Sequence, residues 1–192
     1  MLRPNAILVT ALPPLCWLAM QIVHEAGHVL AAWATGGTVT AVVLHPLAIS
    51  RTDVSPNPSP LIVVWGGPLA GVIVPILAWL AVARFRWPSA YLWRFFAGFC
   101  LIANGVYIGS GVVEPVGDAA DLVRLGVPSW MLAVFGLVTI PPGFLLWNGL
   151  GPSFGFGKDG RLVPGRHVWG TTLVLAGVVA AELVWSRWLN AG

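Results

Sequence analysis

The sequence predicts an all-α polytopic membrane protein of about five transmembrane helices, with a short strand or hairpin region after the first. Three observations predict it. Of 192 residues, 57% are hydrophobic and only 9% charged, whereas roughly a quarter of a soluble domain is charged. Mean hydropathy is +0.84. The apolar residues also gather into blocks near the roughly 20 residues that a bilayer-spanning helix needs. Residues 1–192 are therefore expected to form one integral membrane domain, with a motif-bearing core over about 15–125 and accessory helices over about 128–190.

The first block, about 6–33, contains Pro13 and Pro14, which predicts a kinked span or a short lead-in followed by a helix from Leu15. Its start after Arg3 resembles the apolar part of a signal peptide, but no clear small-x-small site follows, so it is expected to be retained. Residues 38–49 (TVTAVVLHPLAI) are β-branched and predict an extended strand or hairpin, and 55–60 (SPNPSP) predict turns. Further spans are expected at about 61–83, 91–113, 130–150 and 168–188. The glycine-rich basic stretch 150–167 is expected to be a flexible, exposed connection. Trp33, Trp65, Trp79, Trp93, Trp130, Trp147, Trp169, Trp185 and Trp188 fall near span ends, where an indole anchors at the headgroup level.

Charge refines this picture. The net charge of +3 is scattered singly, without the patch that nucleic acid would require. With five crossings, Arg3, Arg84, Arg86, Arg94, Lys158, Arg161 and Arg166 share one side, against Arg51, Arg124 and Arg187 on the other. That count puts the N-terminus in the cytoplasm. The expected location is a cell membrane of bacterial type. Cys16 and Cys100 lie in apolar runs and suggest neither a disulfide nor a thiolate site.

Chemistry concentrates in few residues. Only seven acids exist, and an ionisable group inside a span marks a functional site by default. Glu25 lies in His24-Glu25-Ala26-Gly27-His28. On a helix the two histidines are one turn apart on one face, so both imidazoles can grip one metal ion while the glutamate reaches a water beside it. A catalytic zinc takes a third protein ligand. His45 and His167 read as surface or interface residues. The carboxylates of 114–121 (EPVGDAAD) lie on the same side of the membrane as HEAGH, so Asp118 or Asp121 could complete the set.

HEAGH, the Gly66-Gly67-Pro68-Leu69-Ala70-Gly71 run opening the next span, and Pro115-Val116-Gly117-Asp118 together resemble the three signatures of the site-2 protease (M50) family of intramembrane zinc metalloproteases. The resemblance covers about 15–125. It implies one zinc ion held by His24, His28 and Asp118, with Asp121 in reserve, and Glu25 as general base in hydrolysis of peptide bonds in or near transmembrane segments. It also implies a membrane-protein substrate, most simply a transmembrane helix in the bilayer, and a zinc nearer the cytoplasmic face than the charge count gives. Three positions depart from the family pattern: Gly71 stands where GPxxN has Asn, Ser110 where NxxPxPxLDG opens with Asn, and Ala119 where it ends in Gly. Asn104 or Ser110 is the expected stabiliser of the oxyanion, and Gly66, Gly67 and Pro68 are expected to pack closely against HEAGH and shape the cleft. The alternative is a non-catalytic membrane protein: a pseudoprotease that binds transmembrane helices, or a metal-ion binding or transport protein. An extended substrate is expected to pair with the edge of 38–49.

Overall fold

The computed structural model describes residues 4–190, with side-chain surroundings up to Arg187. Arg3 and the Trp188 side chain lie outside the described residues. The elements are helix α1 (Pro4–Ala34), strands β1 (Val39–Val43) and β2 (Arg51–Val54), and helices α2 (Pro60–Arg84), α3 (Ala90–Gly109), α4 (Asp118–Arg124), α5 (Ser129–Trp147) and α6 (Gly165–Asn190). Among the described residues, five helices are long and apolar enough to cross a membrane: α1, α2, α3, α5 and α6. The protein is a multi-pass membrane protein.

Of the two forms expected for the first block, α1 takes the single span: it runs as one helix through Pro13 and Pro14, not as a lead-in followed by a helix from Leu15. The two missing N–H groups leave the Val9 and Thr10 carbonyls without their helical donors, while Leu8, Leu12 and Cys16 are buried around the break. Tertiary packing holds the turn that the prolines weaken. The helix stops where Gly36 adopts φ 76, which lets Gly37 N–H reach the Ala32 carbonyl and Gly36 N–H the Trp33 carbonyl, a Schellman ending.

β1 and β2 form an antiparallel hairpin, pairing Val42 with Thr52 and Val43 with Arg51. The second strand lies beyond the residues expected to be extended, because Arg51-Thr52-Asp53-Val54 alternates too briefly to register as a strand. Pro60 then begins α2 at its first turn, where a missing N–H costs nothing.

Helix contacts depend on small residues. A methyl at Gly66 would stand 2.7 Å from both the Gly27 carbonyl oxygen and the Ala31 Cβ, so α1 and α2 cross backbone against backbone. α3 meets α5 similarly, with Gly98 beside Gly143 and Gly109 beside Gly136. In lipid, where apolar burial gives little preference for protein over acyl chains, such close van der Waals contact drives helix association.

Several tryptophans do more than anchor. Trp147 donates to the Phe95 carbonyl (2.9 Å) and stacks on its ring, and Trp65 packs against Phe135. The 150–167 connection is likewise less exposed than expected. Leu150 and Phe154 insert into the cluster of Leu8, Leu12, Cys16 and Val168, which ties that loop to α1.

Candidate metal centre

α1 places His24, Glu25 and His28 two-thirds of the way along its length, all three buried. Asp118 arrives from the other end of the core. α3 ends in a 3-10 turn at Ser110–Val112, and α4 starts after Gly117, whose φ is 52. Ala119 and Leu122 anchor α4 in a cluster with Ile108, Val127 and Leu132. Tyr107 fixes the first residue, its hydroxyl accepting the Asp118 N–H at 2.9 Å. The result is three ligand atoms within 4.8 Å of one another on His24, His28 and Asp118. Asp118 Oδ2 lies 2.8 Å from His24 Nε2 and 3.3 Å from His28 Nε2.

The outer nitrogens of both rings are committed. His28 Nδ1 lies 2.7 Å from the Val63 carbonyl oxygen, which can only accept, so this nitrogen carries a proton. His24 Nδ1 lies 2.8 Å from Asn104 Oδ1. The amide is oriented by its other end, since Nδ2 donates to the Cys100 carbonyl at 2.9 Å. His24 Nδ1 is therefore a donor as well. Neutral rings with protonated Nδ1 point two Nε2 lone pairs at a carboxylate oxygen, which is three acceptors facing one another. A cation, or protons on the Nε2 atoms, must sit between them. This donor set of two nitrogens and one oxygen, each nitrogen oriented from behind, fits a zinc ion.

Backbone closes the centre from α2. A Cβ on Gly67 would overlap His28 Nε2 and stand 2.7 Å from His24 Nε2. Only glycine leaves the space that the rings occupy. Burial would raise the Asp118 carboxyl, but the hydrogen bonds and charges of His24 and His28 outweigh it and hold the group at about 2.

The remaining candidates divide clearly. Glu25 lines a cavity of about 660 Å³ together with His24, His28 and Asp118, and β2 borders it. Thr52 Oγ1 donates to Glu25 Oε2 at 2.7 Å. Asp121 also lines this cavity but stands outside the His24, His28 and Asp118 cluster and pairs with Arg124 at 2.6 Å. The Ser110 hydroxyl is exposed and donates to the Tyr107 carbonyl. Asn104 is turned onto His24 and, with His24, Glu25 and Tyr107, lines a smaller cavity of about 90 Å³. His45 accepts the Leu47 N–H and His167 meets the Tyr91 hydroxyl, both away from the cluster. Gly66 lies against Gly27, and Pro68 is buried in α2.

Gly71 gains a physical reading here. A Cβ at this position would stand 2.6 Å from Asn104 Oδ1. Asn104 thus fills, from α3, the space that a side chain on residue 71 would take.

A family model described as Peptidase M50B-like matches residues 5–113. The chain belongs to this family. The match spans His24, Glu25, His28, Gly67 and Asn104 and ends before Asp118, so the family points to a membrane peptidase while Asp118 stands on the geometry of this chain. No curated protein and no solved structure matches the chain.

Sequence reasoning missed Thr52, Tyr107 and the Val63 carbonyl. Val63 acts through its backbone and leaves no side-chain signature. Tyr107 could have been found as a polar ring near the end of an apolar span, seven residues before the acidic stretch.

Proposed function

We propose that this M50B-like protein is an intramembrane zinc metalloprotease that hydrolyses peptide bonds in or near transmembrane segments of membrane proteins. The observation that carries the proposal is the convergence of His24 Nε2, His28 Nε2 and Asp118 Oδ2 beside the Glu25 carboxylate at a cavity wall. His24, His28 and Asp118 would hold the zinc ion. When bound, it would supply a Lewis acid that polarises the peptide carbonyl and acidifies water near neutral pH.

The chain's own residues do the rest. Glu25 takes a proton from the attacking water and delivers it to the leaving amine nitrogen. The Thr52 hydroxyl, donating to one Glu25 oxygen, leaves the other directed at the cavity. Asn104 and the Val63 carbonyl fix the ring tautomers, so neither imidazole presents an N–H to the metal position. Asn104 acts behind His24, and we assign it ring positioning in place of the expected oxyanion contact.

Substrate recognition follows from the hairpin. A transmembrane helix must unwind to expose a carbonyl, and each backbone group it frees needs a new partner in lipid. The Val42 carbonyl on β1 already accepts from Trp185 Nε1 at 2.7 Å. β2, next to Glu25, is therefore the edge offered to an extended substrate, shifting the pairing site from the expected 38–49 to Arg51–Val54.

The test is cleavage of single-span reporter proteins in liposomes by wild type and Glu25→Gln, with zinc content measured on the same samples. The protease reading expects both proteins to retain one zinc and only wild type to cleave, with a loss of at least 10³-fold, in line with removal of an acid-base group. Cleavage unchanged in Glu25→Gln overturns it. Zinc-dependent metal flux with no cleavage by wild type would favour the transport alternative.

A further inference from the structure

On the membrane face opposite the metal centre, two cavities meet at α6. One, of about 360 Å³, runs between α1, α3 and α6 and is walled by Leu12, Leu15, Leu92, Phe96 and Val174. The other, of about 470 Å³, lies between the α2–α3 connection and the start of α6, with Trp87 and Ser89 in its wall. Arg166 and His167 line both. A cation thus stands between an apolar slot and a second, less apolar cavity. Among the described residues Arg166 forms no salt bridge, and no acidic side chain lines either cavity.

We infer that this pair of cavities binds one anionic glycerophospholipid, its phosphate against Arg166 and an acyl chain in the slot between α1, α3 and α6. Three features argue for a lipid over a free anion. The slot is apolar along the helices and extends into the span, so a phosphate alone would leave it empty. The charged end lies at the first turn of α6, where a candidate membrane span begins, while Gly170 and Val174 follow one and two turns further into that span. His167 is oriented by the Tyr91 hydroxyl, 3.1 Å from its Nδ1, and leaves Nε2 for the headgroup oxygens. The absence of a competing carboxylate selects for negative charge over a zwitterion, since one arginine near a membrane surface is worth about fivefold in anion preference.

The experiment uses the purified full chain in neutral detergent with equimolar dioleoyl phosphatidylglycerol and dioleoyl phosphatidylcholine, counting retained lipid by native mass spectrometry. Wild type should retain one phosphatidylglycerol with about fivefold preference. Arg166→Gln should lose the preference, and Gly170→Phe should reduce retention of both lipids. A Cβ at Gly170 meets nothing within 4 Å, so that ring fills the slot without disturbing the fold. Thermal unfolding of each variant separates lost binding from lost structure. Equal retention of the two lipids by wild type overturns the inference, as does unchanged preference in a folded Arg166→Gln. Displacement of the lipid by excess inorganic phosphate, or by a polyleucine single-span peptide, would give the site to a free anion or to a helix and would equally overturn it.

Discussion

Gly67→Ala is the most revealing single change, because it adds one methyl group and no charge. The new Cβ would stand 2.5 Å from His28 Cε1 and 2.7 Å from His24 Nε2, where ordinary contact begins at 3.4 Å. His24 must retreat by about 0.7 Å, and His28, whose Nε2 the new Cβ would overlap, by more than 0.9 Å. Neither can rotate freely, since His24 is bound through Nδ1 to Asn104 and His28 to the Val63 carbonyl. Moving α2 instead would open the Gly27–Gly66 crossing. Displacements of this size in a metal site or its supports typically lower affinity 10- to 100-fold, and overpacking costs about 1–3 kcal/mol of stability. Equilibrium dialysis against buffered zinc, followed by metal analysis, reads the first effect, and thermal unfolding in detergent reads the second. Gly177→Ala, at a position with nothing within 4 Å, is the matched control. A Gly67→Ala protein with wild-type zinc affinity would refute the placement of α2 against the imidazoles.

Asn104→Ala should leave the buried His24 N–H without its acceptor, costing about 1–3 kcal/mol and lowering zinc affinity 10- to 100-fold; dialysis showing wild-type affinity would remove Asn104 from the site. Acid stability of the metal-free protein should depend on Asp118. Its carboxyl is lowered from 3.8 to about 2, so its contribution of about 2 kcal/mol is present above pH 4 and disappears as pH falls through 2. Unfolding curves should show this loss in wild type and not in Asp118→Asn; parallel curves would contradict it. Glu182 is buried in α6 with both carboxyl oxygens lacking a hydrogen-bond partner among the described residues, so Glu182→Leu should raise stability by about 1–3 kcal/mol without changing zinc content. A destabilised variant would mean that the carboxyl has a structural role.

The five spans were legible because hydropathy acts over about twenty residues and tolerates local interruption. The same averaging hid what Pro13 and Pro14 do, since continuity of α1 depends on packing around Leu8, Leu12 and Cys16. At the candidate site, His24, Glu25 and His28 were readable from helical spacing alone. Asp118 and Asp121 were not separable from spacing, because either can follow a span that ends on the correct side. The structure separates them by direction: Gly117 and Tyr107 set the start of α4 so that Asp118 faces the histidines, while Asp121 meets Arg124. Asn104 shows the limit most clearly. Its polarity in an apolar span marked it as functional, but whether it faces substrate or a histidine depends on the empty Cβ position at Gly71, 33 residues earlier in the sequence and in direct contact in space.

In the proposed reaction, water activated beside Glu25 attacks a peptide bond in a membrane-embedded substrate. Cleavage of single-span substrates in H₂¹⁸O, with the fragments read by mass spectrometry, tests it most directly. The account predicts one ¹⁸O in the new C-terminal carboxylate, at a site in or beside the apolar segment, present with wild type and absent with Glu25→Gln. Fragments without the label, or labelled fragments that persist in Glu25→Gln, would contradict it.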